Sequence, residues 1–138
     1  MEIEYEACFE KTDKNDVRKR LKKAGALLVK PEFLMKRNGF FLPNGHEITG
    51  GWARVRNEGD KITMSVKVVD GNKIHNKKET CLVIDNYQKA CDFLEFLGCV
   101  NKTYQESKRE LWKIGDVEIT IDEWPFLEPF VEVEGKSE

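Results

Sequence analysis

Ala53-Arg54-Val55-Arg56, then Glu58-Gly59-Asp60, then Thr63-Met64-Ser65-Val66-Lys67-Val68 is the stretch whose reading decides the fold. Apolar and polar residues alternate on both sides of a cluster of turn formers, which is the pattern of two strands joined by a hairpin-type turn. Residues i and i+2 of a strand point the same way, about 6.5–7 Å apart. Arg54 and Arg56 therefore lie opposite Ala53 and Val55, and Thr63, Ser65 and Lys67 lie opposite Met64, Val66 and Val68.

The same period runs outward in both directions. Candidate strands are Glu2–Phe9, Ala26–Lys36, Gly51–Asn57, Lys61–Val69, Ile74–Ile84, Lys102–Ile114, Val117–Glu123 and Phe130–Glu134, with further turn signals at Asp70-Gly71-Asn72 and Gly115-Asp116. Two stretches have helical period instead. Thr12-Asp13 can cap a helix with Val17, Leu21 and Ala24 on one stripe and Gly25 as its stop. Its basic residues, Arg18, Lys19, Arg20, Lys22 and Lys23, read as a solvated face. The second helix starts near Asp85-Asn86, carries Ala90, Phe93, Leu94 and Leu97 on one side, and stops at Gly98. About eight strands at close spacing with two helices predict an α+β fold, an antiparallel sheet with enough strands to close into a β-barrel.

The chain has 138 residues, with 23 Lys+Arg against 25 Asp+Glu and a net charge of −2. That length predicts a single domain over 1–135 that buries roughly 65–70% of its unfolded surface, with 136–138 as a frayed tail. A 40% hydrophobic fraction is too apolar for a disordered chain, and no apolar run approaches the ~20 residues of a membrane span. The acidic start, Met1-Glu2-Ile3-Glu4-Tyr5-Glu6, lacks the basic and apolar regions of a secretory signal, so the expected location is cytoplasmic. Balanced charge gives no electrostatic case for DNA or an anionic membrane as partner. Cys8, Cys81, Cys91 and Cys99 form no CxxC pair, and His46 and His75 stand alone. The cysteines read as reduced packing residues rather than zinc ligands.

Sorting the strands by face groups the charges by sign. Glu2, Glu4 and Glu6 share one side of the first strand, Glu118, Thr120 and Asp122 one side of the seventh, and Glu132 and Glu134 one side of the last. Arg54, Arg56, Lys67, Lys77 with Glu79, and Arg109 form the basic counterpart. Polar alternation ordinarily marks the wet side of a half-exposed sheet, and that reading stays open. Like charges clustered on single strands repel, however, so each row calls for something to neutralise it. Hard divalent cations suit carboxylates, and a polyphosphate suits guanidinium and ammonium groups. A metal-bound triphosphate serves both rows.

Glu2-Ile3-Glu4-Tyr5-Glu6, Ala53-Arg54-Val55-Arg56, Lys67, Lys77-Lys78-Glu79, Arg109-Glu110-Leu111-Trp112, Ile121-Asp122-Glu123 and Phe130-Val131-Glu132-Val133-Glu134-Gly135 resemble, in order, the motifs of the CYTH superfamily. That superfamily holds class IV adenylyl cyclases, thiamine triphosphatases and inorganic triphosphatases, or triphosphate tunnel metalloenzymes. The resemblance implies an eight-stranded antiparallel tunnel with a polar, charged interior and helices packed outside. It implies that Arg54, Arg56, Lys67, Lys77 and Arg109 grip a triphosphate, that Lys77 and Glu79 are catalytic, and that Glu2, Glu4, Asp122, Glu132 and Glu134 hold Mg²⁺ or Mn²⁺. The substrate would be tripolyphosphate, thiamine triphosphate or ATP, and the reaction a metal-dependent hydrolysis. Cyclisation of ATP to cyclic AMP is an alternative on the same fold.

Two positions depart from the family pattern. Glu6 stands where the first motif usually has lysine, and Cys81 where the central motif has a second glutamate, which keeps a non-catalytic triphosphate- or nucleotide-binding domain among the readings. Trp124-Pro125-Phe126-Leu127-Glu128-Pro129 reads as a lid or strand-end plug, Phe40-Phe41-Leu42-Pro43 as a strand entering a turn, and His46 as an exposed loop residue. Trp52 and Trp112 are candidates for base or cation–π contacts as well as for packing. A homodimer through an outer apolar or helical surface is compatible with the sequence, but no motif establishes one.

Overall fold

Alternating stretches fold into strands and the two capped stretches into helices. The computed structural model describes residues 1–48, 50–69 and 77–137. Its elements are β1 (Glu2–Ile3), β2 (Tyr5–Phe9), α1 (Lys14–Lys23), β3 (Leu27–Phe41), β4 (Gly51–Asn57), β5 (Ile62–Val69), β6 (Lys77–Ile84), α2 (Tyr87–Phe96), β7 (Val100–Ile114), β8 (Val117–Glu123) and β9 (Phe130–Gly135). The sheet order is β1-β6-β5-β4-β3-β7-β8-β9-β2. Its two end strands, β1 and β2, are separated in the chain by Glu4 alone. The first pass is interrupted at Glu4, so nine strands make the eight antiparallel passes expected of this α+β fold.

β3 runs further than the sequence expectation. β3 runs on from Lys36 to Phe41 because Lys36 to Phe41 pair residue by residue with Asn57 to Trp52, and that ladder outweighs the poor strand propensity of Asn38 and Gly39. The expected start of the fifth strand at Ile74, the Asp70-Gly71-Asn72 turn and His75 lie outside the described residues.

Contacts divide the chain into two compact units, Met1–Ile3 with Met35–Gln105 and Glu4–Leu34 with Glu106–Glu138. In the first, α2 covers the apolar face of β3, β4 and β5. Asn86 caps the helix by accepting the Lys89 backbone N–H at 2.9 Å. The core joins Phe40, Ala53 and Val55 to Ala90, Cys91, Leu94 and Cys99. The buried stripe of α2 is Ala90, Cys91 and Leu94, whereas Phe93 and Leu97, expected on it, are exposed. Burial pushes the Cys91 and Cys99 thiols up, as befits packing residues. Cys8 and Cys81 are exposed and do not share that role.

In the second unit α1 covers the apolar face of β8 and β9. Asp13 accepts the Asp16 backbone N–H at 2.8 Å, and Gly25 takes a φ of 81°, as the helix end requires. Leu21, Ala26, Trp112, Ile119, Ile121 and Val131 form the core. Trp112 is therefore a packing residue, and its indole N–H donates to Glu110 Oε1 at 2.7 Å. Arg18 leaves the solvated face predicted for it: its Nη2 lies 2.7 Å from Glu110 Oε2. Lys14 likewise bridges Glu32 and Glu123. No helix among the described residues is long and apolar enough to cross a membrane.

The Arg18–Glu110–Trp112 link yields a stability prediction. Burial pushes the Glu110 carboxyl up, but the Arg18 guanidinium and the Trp112 N–H outweigh it and hold the group below the usual carboxylate range. Glu110→Ala strands a buried indole donor, so it should cost about 1–3 kcal/mol, read as a Tm lowered by roughly 5–10 °C. A carboxyl with a depressed folded pKa stabilises above its unfolded value, near ~4.3, and loses that contribution as pH falls through the folded one. Melting curves should therefore show a constant gap between wild type and variant above about pH 5 that narrows below about pH 4. A gap unchanged in acid would contradict this account.

Candidate functional site

The face turned away from α2 carries the cations of the first unit. β4 and β5 pair antiparallel with Arg54 opposite Ser65, Arg56 opposite Thr63 and Trp52 opposite Lys67. β5 and β6 then set Lys67 opposite Glu79 and Val69 opposite Lys77, and β1 sets Glu2 opposite Glu79. Register thus places Arg54, Arg56, Lys67, Lys77, Glu79 and Glu2 on one face. Arg54 is 8% exposed, and Thr63 and Ser65 are buried beside it.

Glu79 organises one end of this face. Its Oε2 lies 3.3 Å from Lys67 Nζ and 3.7 Å from Arg54 Nη2. Glu58, in the β4–β5 turn, organises the other, 3.4 Å from Arg56 Nη2 and accepting the Thr63 hydroxyl at 3.3 Å. Part of the charge that seemed in sequence to lack an opposite is therefore met across strands. The Ser65 hydroxyl, between these ends, is buried with no hydrogen-bond partner among the described residues. Cys81 lies opposite Ser65 in the ladder, at the position where the resemblance expects a glutamate. Trp52 shares the cationic face and is partly exposed.

In the second unit the face away from α1 holds the acids. Glu6 lies opposite Glu134 and Cys8 opposite Glu132, and β8 and β9 set Glu118 opposite Glu134 and Thr120 opposite Glu132. Glu4, Glu6 and Glu134 converge so that one ligand atom from each lies within 4.8 Å of the others. Asp122, fully buried, is held differently. Arg109, opposite it in register, donates through Nε to Oδ1 at 2.6 Å and through Nη2 to Oδ2 at 3.3 Å. Thr120 donates to Oδ2 at 2.9 Å, and Glu132 Oε2 lies 3.6 Å from Arg109 Nη2.

Within each unit, then, the site residues read from sequence gather on the polar face. Three features were not read from it. Glu6, read beside Glu4 on the first strand, also converges with Glu134. Arg109 is tied to Asp122 and Glu132. Arg37, not singled out in the sequence, lies opposite Arg56. Period-two parity carried back from Phe40 and Phe41 would have found Arg37. Of the other candidates, His46 is exposed and its Nδ1 accepts the Ile48 N–H at 3.0 Å. Phe126 has a φ of 66° and stands fully exposed with Leu127 in the β8–β9 turn, so neither plugs a strand end.

A family model described as the CYTH domain matches residues 1–138. No curated protein matches the chain. Among solved structures, a Pyrococcus horikoshii protein is 17% identical with a TM-score of 0.81, covering 96% of this chain and 78% of that one. A candidate adenylate cyclase from Vibrio parahaemolyticus is 17% identical with a TM-score of 0.79, over 97% and 76%. A candidate adenylyl cyclase from Hippeastrum, described as having a dominant triphosphatase activity, is 10% identical with a TM-score of 0.61, over 98% and 80%. At these identities the likeness is one of fold.

Proposed function

This chain belongs to the CYTH domain family, and we propose that it hydrolyses a small inorganic or organic triphosphate with the help of Mg²⁺ or Mn²⁺. Membership and the structural neighbours support triphosphate-related activity in general. The observation that carries the finer reading is the half-buried cationic face on which Arg54, Arg56, Lys67 and Lys77 stand together. The two guanidinium groups on one face of β4 repel each other, and a polyanion relieves that repulsion while accepting bidentate hydrogen bonds.

On this reading Arg54 and Arg56 hold phosphate oxygens as forks, and Lys67 and Lys77 act as point charges. Glu79, already between Lys67 and Arg54, would fix their orientation and serve as the proton acceptor for the attacking water. Arg109, held by Asp122 and Glu132, is the further phosphate-binding residue that the family resemblance implies, and its fixed guanidinium would need little reorganisation on binding an anion.

Glu4, Glu6 and Glu134 fit a hard divalent cation, because three converging carboxylates are an oxygen-only donor set. Asp122 and Glu132 face Arg109, and Glu2 faces Glu79, so Glu4, Glu6 and Glu134 are the proposed ligands. A cation bound there would offset the mutual repulsion of the three carboxylates and acidify its own water.

The test is a product-resolved turnover screen with each metal on tripolyphosphate, thiamine triphosphate and ATP. Phosphate release from at least one is expected, with loss of that release in excess EDTA. No release from any substrate defeats the hydrolase reading. Trp52, an aromatic on the cationic face, favours a second reading in which a nucleotide base stacks near the phosphates. Cyclic AMP formed from ATP would decide for that cyclase.

A further inference from the structure

We propose that Cys81 is a thiol-modification site, at which an anionic small disulfide of the glutathione type forms a reversible mixed disulfide, with the Ser65 hydroxyl donating to an oxygen of the attached group. Cys81 takes no part in the triphosphate reading above. It has the polar-face parity of β6, two residues after Glu79, whereas Leu82, of the other parity, lies opposite Met64 on the α2 side. It is exposed, and β1 pairs with β6 at Lys78 and Glu79, short of it.

Cations line the approach to this thiol. Arg54, Ser65 and Cys81 occupy one rung across β4, β5 and β6. The Arg54 side chain crosses β5 to reach β6, since its Nη2 lies 3.7 Å from Glu79 Oε2, and Lys67 Nζ lies 3.3 Å from the same oxygen. Accessible thiols in electropositive surroundings are the reactive ones, and a cationic face raises the local concentration of an anion.

Ser65 points independently to a ligand. Its hydroxyl is 2% exposed and has no hydrogen-bond partner among the described residues. Directly opposed residues of a ladder have Cβ atoms about 4.5–5.5 Å apart, and Ser65 stands in that relation to Cys81. A buried polar group without a partner calls for one. A carboxylate or carbonyl oxygen of a group carried on Cys81 Sγ is such an acceptor.

The other exposed thiol supplies the contrast. Cys8 lies opposite Glu132, one step along the ladder from Glu6 and Glu134, on the face where Arg109 is engaged by Asp122 and Glu132. An anionic disulfide is repelled there. Cys91 and Cys99 are buried.

The step is thiol–disulfide exchange. Cys81 loses its proton to solvent, its sulfur attacks one sulfur of the small disulfide, the S–S bond there breaks as the new one forms, and the departing thiolate takes up a proton. The small disulfide is thus the oxidant, one equivalent of small thiol is released, and excess small thiol reverses the step. The attached carboxylates then occupy the cationic face, which couples its availability to the surrounding thiol–disulfide balance.

The experiment follows mixed-disulfide formation at each cysteine by peptide mass spectrometry, on the reduced full chain with glutathione disulfide and, separately, with cystamine, a dicationic disulfide. Glutathione disulfide should modify Cys81 at least about 10-fold faster than Cys8. Cystamine should reverse that order, and ~1 M salt should bring both ratios toward one. Ser65→Ala removes a hydroxyl that lacks a partner, so it should melt no lower than wild type, yet slow glutathione disulfide at Cys81 about fivefold with cystamine unchanged. A Cys81-to-Cys8 ratio that is the same for both disulfides, no adduct at Cys81, or an unchanged Ser65→Ala rate overturns the proposal. Tripolyphosphate should slow the reaction at Cys81. That arm alone rests on the triphosphate reading, and its failure with the charge preference intact counts against that reading and leaves the modification site standing.

Discussion

Arg56→Glu is expected to abolish tripolyphosphate binding, a loss of at least about 100-fold or ~2.7 kcal/mol, while Arg20→Glu leaves the affinity unchanged. Arg56 lies on the polar face of β4, opposite both Thr63 and Arg37. Removing one member of a buried charge contact costs about 2–5 kcal/mol, and reversal adds repulsion of the anion. The new carboxylate would also face Glu58, which lies 3.4 Å from the native guanidinium. Arg20, in contrast, is 80% exposed on α1, where it pairs with Asp16 at 3.1 Å. Both variants change net charge by the same two units, so long-range attraction is equal and only position differs. Titration calorimetry beside a thermal melt checks it, with Arg56→Gln as the variant that tolerates burial better. Equal affinity in Arg56→Glu and Arg20→Glu would contradict the assignment of this face.

Position was legible in the sequence wherever it depends on parity alone. Arg54, Arg56 and Lys67 needed only the alternation of β4 and β5 to be placed on one face, and Asp13, Asn86, Gly25 and Gly98 marked both helices by local capping chemistry. Quantities set by register were not legible. That Arg109 lies opposite Asp122 and Lys67 opposite Glu79 follows from how β7 meets β8 and β5 meets β6, and no local signal encodes that offset. Consequently the carboxylate rows looked more starkly unpaired in sequence than they are. Arg37 was hidden because Asn38 and Gly39 broke the apolar pattern that extends a predicted strand. Arg18 was read as solvent-facing for a related reason: helical period finds the apolar stripe, but its partner Glu110 belongs to a distant strand.

The acidic face supplies the second large effect, and it turns on the residue that departs from the family pattern. If Glu6 merely replaced a lysine, it would add repulsion beside Glu4 and Glu134 and nothing else. Its carboxylate instead converges with theirs, and cation affinity at oxygen sites rises with the charge of the ligand set. On the proposed reading, Glu6→Gln and Glu134→Gln should each raise the Mg²⁺ or Mn²⁺ concentration for half-maximal turnover by about 10-fold, and the double variant by about 100-fold, each lost charge contributing roughly 1.4 kcal/mol. Tripolyphosphate affinity measured in EDTA should rise slightly in all three, since each removes a negative charge from the protein that receives the anion. The opposite signs separate a metal-site effect from unfolding, which would lower both. Glu6→Lys makes the sharpest contrast, because it restores the residue usual in the family. It should weaken metal affinity more than Glu6→Gln does, and a Glu6→Lys variant that turns over faster at the same metal concentration would remove Glu6 from the proposed ligand set.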